Sequence, residues 1–293
     1  MADARVWPDR KLIVGFLVLP KPGIVALVVV STFTGLYVGG HGLPPGHIAF
    51  WTLLGMGLAT AGAAALNNFI DRDIDSIMRR TSGRSVPSGS VSASAAYMAG
   101  TGLVMVALVL LKIFVSGLVT VLTGAAVFIY VVLYSMFLKR RTPLATHIGG
   151  IAGAMPPLIG YAAAHGELDM QAVILFLIIV VWQQPHFWSL ALKYREDYAR
   201  ANVPILPVAK GVEITKQRIL LYVLLHFPVM WLPYHYQMAG VYYFATAMTL
   251  SALYLAATVK FVFSAQGKEM TIFHLSNSYL MIVFAAMMAD AIR

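Results

Sequence analysis

The chain contains no cysteine, which excludes disulfide staples, thiolate nucleophiles and cysteine-ligated metal centres. Charge is also scarce: only 11% of the 293 residues are Asp, Glu, Lys or Arg, and the acids number 12, whereas a soluble domain carries roughly 25% charged residues. A Walker-type phosphate loop, a dinucleotide-binding glycine fingerprint, a zinc signature and a nucleophile elbow are all missing. P-loop hydrolysis, nucleotide-borne hydride transfer and serine-type acyl transfer therefore have no motif to rest on. What is present in excess is apolar surface. Hydrophobic residues make up 59% of the chain and the mean hydropathy is +0.77, which marks an integral membrane protein.

Nine apolar segments lie near 24–39, 49–66, 92–111, 118–138, 144–164, 170–192, 218–237, 240–262 and 271–291. Each approaches the ~20 residues needed to cross the hydrocarbon core. They predict an all-α integral membrane protein with about nine transmembrane helices, as a single domain over 1–293. The net charge of +9 would suit nucleic acid, but the basic residues sit in short loops between apolar runs, so no nucleic-acid partner is expected. With the N-terminus in the cytoplasm, 19 of the 21 Lys and Arg fall inside and only Lys112 and Arg293 outside; the positive-inside rule then gives N-in, C-out. Residues 1–23 form a cytoplasmic or interfacial segment, because the apolar run Leu12 to Leu19 is too short to span and is stopped by Pro20-Lys21-Pro22. It has neither a signal-peptide cleavage site nor transit-peptide composition, which favours a bacterial inner membrane over a mitochondrial one.

The second apolar segment runs into Asn67-Asn68-Phe69-Ile70-Asp71-Arg72-Asp73-Ile74-Asp75, a dense acidic cluster in an expensive place. At ~100° per residue Asn67, Asp71 and Asp75 drift only ~80° around a helix, so they can face one point while Asp73 looks away. Mg²⁺ takes oxygen ligands, keeps several waters, and is usually held by one or two carboxylates plus substrate phosphates. The spacing therefore points to a Mg²⁺-diphosphate site; the plainer alternative is a solvated helix end at the membrane surface. Downstream come Arg72, Arg79, Arg80 and Arg84. Such residues commonly set topology, but the planar fork of Arg suits phosphate oxygens that a metal does not reach. Arg80 and Arg84 could act together if their segment is helical. Lys139-Arg140-Arg141 reads as a further topology cluster.

In the sixth segment, Trp182-Gln183-Gln184-Pro185-His186-Phe187-Trp188 puts polar groups mid-span, where an ionisable residue is a functional hypothesis. Lys193 and Asp197 follow His186 by seven and eleven residues, within ~20° of one line on a continuous helix. On that face Asp197 would hold a second metal ion, Lys193 a phosphate, and His186 would sit deeper, toward an acceptor. The alternative is a surface Lys193–Asp197 pair at i, i+4. In the fifth segment the run of small residues around Gly149-Gly150 and Gly153 lets helices approach closely, and His147 lies near its cytoplasmic end. His226, His235 and His274 read as packing.

Asn67-x3-Asp71-x3-Asp75 resembles the first aspartate-rich motif of the intramembrane UbiA-type prenyltransferases, and Lys193 to Asp197 looks like their second. The run from Asn67 to Asp75, the stretch Gly149 to Tyr161, Pro185-His186-Phe187-Trp188 and the loop from Asp197-Tyr198 to Leu206-Pro207 are together similar to the haem-farnesylating branch of that family. The likeness covers nearly the full chain. It departs at Gly23, Ser85, Asn202 and Ile205, where Arg, Pro, Gly and Met are usual, and none of these is a metal ligand. The resemblance implies a helical bundle around a central cavity, with farnesyl diphosphate and haem b as substrates and haem O and diphosphate as products. It implies Mg²⁺ held by Asn67, Asp71, Asp75 and Asp197, diphosphate contacts from Arg80, Arg84 and Lys193, and a haem side at His186 and His147. Haem A synthase or oxidase assembly factors in the same lipid bilayer are the implied partners. Two other readings stay open: a polyprenyltransferase using another aromatic acceptor at the same diphosphate site, and a transporter that binds cations through intramembrane Asp and His.

Overall fold

A computed structural model describes residues 10–264 and 267–292; Arg5 and Arg293, counted above in the charge asymmetry, lie outside the described residues. The elements are α1 (Arg10–Val18), α2 (Pro22–Gly39), α3 (Gly46–Ile70), α4 (Arg72–Ile77), α5 (Ala93–Phe114), α6 (Gly117–Phe128, running on as π-helix over Ile129–Leu138), α7 (Ala145–His165), α8 (Met170–Lys193), α9 (Arg195–Arg200), α10 (Leu206–Ala209), α11 (Val212–His235), α12 (Val241–Val262) and α13 (Glu269–Ala289).

Among the described residues, seven helical runs are long and apolar enough to cross a membrane: Arg10–Gly39, Gly46–Ile70, Ala93–Phe114, Gly117–Leu138, Met170–Lys193, Val241–Val262 and Glu269–Ala289. The first comprises α1 and α2 with a turn between them, where Lys21 takes φ 55°. The other two long helices fall short for physical reasons. α7 carries Pro156, Pro157, four glycines and two histidines, and α11 opens with Glu213, Lys216 and Arg218. α7 is flanked by α2, α6 and α8, so its composition answers to neighbouring helices more than to lipid.

The helices close into a ring: α2 meets α3 and α7, α3 packs on α5, α5 on α6, α6 on α7, α7 on α8, α8 on α11 and α13, α11 on α12, α12 on α13, and α13 returns to α2. In a bilayer the hydrophobic effect does not drive helices together, so close packing of small side chains must. At the α2–α7 crossing a Cβ on Gly35 would collide with the Pro157 carbonyl, and one on Gly160 with the Thr32 carbonyl. Some buried hydroxyls are satisfied within their own helices: Thr32 donates to the Val28 carbonyl at 2.8 Å and Ser251 to the Ala247 carbonyl at 2.7 Å. Large apolar side chains such as Phe50, Val121 and Leu253 face outward, the pattern of a lipid-facing surface.

At one end two long helices break and continue as short ones. α3 stops at Asp71 before α4, and α8 stops at Tyr194 (φ −106°, ψ 25°) before α9. Ile74 and Met78, at and just beyond α4, pack in one apolar cluster with Tyr198, Ala201, Val203 and Ile205 around α9, which draws the two acidic stretches together. Asn202 has φ 54°, a left-handed conformation that glycine adopts freely and asparagine tolerates best of the rest; Asn can therefore stand where the resemblance noted above would expect Gly.

Candidate active site

Below the α4 and α9 caps lies a cavity of about 380 Å³, lined by polar groups from six elements, including Lys21, Asn67, Asp75, Arg80, Arg84, Lys139, Gln183, Gln184 and His186. Ile24, Val28, Tyr130 and Gly153 also line a second cavity of about 190 Å³, whose other walls are almost wholly apolar, among them Met56, Ala59, Ala63 and Val127. The two spaces therefore adjoin, one polar and the other greasy.

Asp71 is completely buried and Asp75 nearly so at 1% exposure, while the Asp73 side chain is 60% exposed. Asp73 is held from outside by Arg140, whose guanidinium donates to both carboxylate oxygens at 2.6 Å; those bonds keep its pKa below the usual carboxylate range. The buried acids meet cations inside. Lys139 Nζ donates to Asp71 Oδ2 at 2.5 Å, Arg84 Nη1 to Asp75 Oδ2 at 2.6 Å, and Lys21 Nζ to Asn67 Oδ1 at 2.6 Å. Asn67 Nδ2 in turn donates to Asp71 Oδ2 at 2.8 Å and to Ser135 Oγ at 3.0 Å. Burial opposes the charge of Lys139, but Asp71 beside it more than offsets this and its pKa is raised.

Hard oxygen donors suit a Mg²⁺ ion here, and Asp71 Oδ1 is buried without a hydrogen-bond partner. Among the described residues no three His, Cys, Asp or Glu side chains form a metal cluster. The protein's own donors would thus be a partial set, completed by substrate phosphate and water, as is common for Mg²⁺.

Several sequence-based placements need correction. Lys193 is exposed and absent from the cavity wall, because α8 ends there and the turn at Tyr194 takes Asp197 off the line projected from a continuous helix. Asp197 is buried, but its carboxylate accepts the Arg80 amide at 3.0 Å and an ion pair from Arg200; it anchors the Arg80 loop and does not line the cavity. His147 is also outside. Thr146, Gly149, Gly150 and Gly153 present the cavity face of α7, whereas the His147 ring lies 5.5 Å from Trp188 and 6.3 Å from Tyr222. Arg80 and Arg84 do reach one cavity, although their segment is a chain of turns and not a helix. His186 lines the cavity, stacked between Trp182 at 4.7 Å and Phe273 at 4.4 Å with Nδ1 2.8 Å from Ser276 Oγ.

Sequence reasoning missed Lys21 and Lys139, along with Tyr130, Tyr134 and Gln184, whose buried Oε1 has no partner. Lys139 could not be found by helical counting. Nine residues at ~100° place it ~180° from Tyr130 on an α-helix, yet both line the same cavity. The π-helical stretch makes the difference: the Lys139 amide bonds the Tyr134 carbonyl five residues back at 2.9 Å, and such wide turns recur at functional sites.

Residues 28–281 match the UbiA prenyltransferase family. Protoheme IX farnesyltransferase of Aquifex aeolicus is 47% identical over 289 residues, covering 99% of both chains. That of Nitrosococcus oceani is 40% identical, over 94% of this chain and 92% of its own. Among solved structures, the fold is similar to that of a digeranylgeranylglyceryl phosphate synthase (TM-score 0.79, 18% identity, 96% and 98% of the two chains). It is also similar to a UbiA homolog from Archaeoglobus fulgidus bound to GPP and Mg²⁺ (TM-score 0.61, 17% identity, 93% and 99% covered).

Proposed function

This chain belongs to the UbiA prenyltransferase family, and on that footing we propose that it transfers the farnesyl group of farnesyl diphosphate to a vinyl group of haem b, with addition of water, giving haem O and diphosphate. The observation that carries the reading is the buried acid pair and its ring of cations at the polar end of a cavity that turns apolar beyond Tyr130. The acceptor reading is supported by near-full-length likeness to proteins named protoheme IX farnesyltransferase.

Reaction begins as the allylic carbon–oxygen bond breaks and its electron pair leaves with the diphosphate. Arg80, Arg84 and Lys139 supply fixed positive charge where that negative charge grows, which is the large term in such catalysis, and Lys21 adds a hydrogen-bond donor beside Asn67. Arg80 has its guanidinium 5.1 Å from the Tyr194 ring and no carboxylate partner among the described residues, so it is available to a phosphate. Asn67, Asp71 and Asp75 would hold Mg²⁺, which when bound neutralises part of the leaving group's charge. Ile24, Val28, Met56, Ala59 and Ala63 receive the isoprenoid tail and exclude water from it. The faces of Tyr130, Tyr134, Trp182 and Phe187 line the route and steady the allylic cation. The terminal carbon of the haem vinyl then bonds to the farnesyl carbon, water adds at the carbon next to the porphyrin ring, and one proton is released. Gln183, Gln184 and His186 are the polar groups on the α8 side, where the acceptor and water would lie.

The charge asymmetry supports a cytoplasmic face for the α4 and α9 end, and the bacterial sources of the relatives support an inner-membrane location. The test is purified protein in nanodiscs with haem b, farnesyl diphosphate and Mg²⁺, with haem products separated by chromatography. Formation of haem O that stops on chelating Mg²⁺ is expected. Transfer to 4-hydroxybenzoate with none to haem b would overturn the acceptor assignment.

A further inference from the structure

We propose that Lys139, Lys21 and Arg84 are built-in counter-ions that bar the acidic pair to a bare divalent cation and release it only when a diphosphate draws them away, so that metal and diphosphate bind as one unit. This rests on the reading of the cavity as a prenyl diphosphate site. Each of the three basic groups sits on an oxygen that a metal would need: Lys139 on Asp71 Oδ2 at 2.5 Å, Arg84 on Asp75 Oδ2 at 2.6 Å and Lys21 on Asn67 Oδ1 at 2.6 Å. Each acid keeps one oxygen off these cations, Asp71 Oδ1 buried without a partner and Asp75 Oδ1 on the cavity side, but one or two carboxylates usually hold Mg²⁺ only together with substrate phosphate and water.

Charge makes the argument stronger. Lys139 pairs with Asp71 and Arg84 with Asp75, and Arg80 adds a further cation to the cavity wall, a positive surplus even before Lys21 is counted. A lone divalent cation would enter a positive, low-dielectric cavity and would have to push aside cations that have nowhere else to pair. A diphosphate reverses both terms. It supplies oxygens to Lys139, Lys21 and Arg84, and its multiple negative charge turns the surplus, so the freed carboxylate oxygens can turn to the metal. Lys139 and Lys21 are therefore positioning residues that determine which ligand state the acids accept.

The experiment uses the full chain in nanodiscs, with Mn²⁺ binding followed by electron paramagnetic resonance and inorganic pyrophosphate binding by calorimetry. Wild type should take up pyrophosphate without metal, bind Mn²⁺ poorly alone, and bind it about 100-fold more tightly with pyrophosphate present, near the upper range of coupling between sites. Lys139→Met should move the two affinities in opposite directions, Mn²⁺ alone about tenfold tighter and pyrophosphate alone about tenfold weaker. A merely structural lysine would weaken both. Lys21→Met, which loses a neutral partner and not a carboxylate, should give the same signs if Lys139→Met does not fold. Equal Mn²⁺ affinity with and without pyrophosphate in wild type, or a fall in both affinities in the variants, overturns the proposal and leaves the diphosphate site standing. Failure of wild type to bind pyrophosphate under any condition overturns the diphosphate reading itself.

Discussion

Replacing Asp71 by Asn keeps the side chain's shape and removes only its charge, which makes it a sharp probe of the acidic cluster. Asp71 is fully buried and carries Lys139 at 2.5 Å, whose own side chain is 12% exposed. Breaking a buried pair from one side costs about 3–5 kcal/mol because the other charge is left behind. Asp71→Asn should accordingly lower thermal stability as well as turnover. Asp71 is one of the groups that would hold Mg²⁺, whose charge offsets that of the leaving group, and weakening such stabilisation should cost about 10²–10³-fold in rate. Asp73→Asn, two residues on, deletes an exposed pair with Arg140 that is worth under ~1 kcal/mol, so its rate should stay within about fivefold of wild type. The double variant Asp71→Asn/Lys139→Met separates stability from chemistry: it removes both members of the pair, so the melting temperature should recover while haem O formation stays low. Initial rates in nanodiscs and melting by intrinsic fluorescence measure the two quantities. Equal rate losses for Asp71→Asn and Asp73→Asn, or near-wild-type turnover by the double variant, would refute the reasoning.

Arg80→Lys and Arg84→Lys keep the charge but lose the fork, so each should raise the KM for farnesyl diphosphate about tenfold; an unchanged KM would leave both as topology determinants. His186→Ala should weaken haem binding in a spectral titration while leaving farnesyl diphosphate affinity nearly intact, and an unaltered Soret band with wild-type haem affinity would exclude iron ligation by this residue. Asp169 caps α8, accepting the Gln171 amide at 2.9 Å, the Ala172 amide at 3.2 Å and the Tyr161 hydroxyl at 2.7 Å. Burial pushes its pKa up, but these bonds more than offset that and hold it below the usual value of 3.8. A depressed folded pKa gives stability that is complete above the unfolded value and lost as pH falls through the folded one. Asp169→Ala should therefore cost about 1 kcal/mol near neutrality, and its deficit against wild type should shrink below about pH 4 in melting experiments; a deficit independent of pH would refute the assignment.

The membrane bundle is legible in the sequence because apolar runs of spanning length have few other uses. α7 and α11 show where that rule thins: α7 is held among other helices and so released from the need to be greasy, and α11 opens on charged residues. The opposite exposures of Asp71 and Asp73 are likewise encoded in spacing: a helical step separates them, and the turn at Asp71 is too slight to undo it. The same arithmetic misplaces Lys193 and Asp197, because the turn at Tyr194 sets α9 on a new axis. That break carries no proline or glycine to announce it; it is imposed by packing of Tyr198 and Ile205 against Ile74 and Met78. His147 is misplaced for a different reason, since proximity along the chain to the small-residue face of α7 says nothing of which face the imidazole occupies.

The π-helical stretch Ile129–Leu138 sets the aim of this region's side chains. Its hydrogen bonds close five residues back where an α-helix closes four, and these wider turns point Tyr130, Tyr134 and Lys139 into a single space. At ~100° per residue of ordinary α-helix, nine residues past Tyr130 lie ~180° round and eight lie ~80° round, so neither the present length nor one residue fewer would set Lys139 on Asp71 without those turns. The wide turns are thus what keep this lysine on the acid.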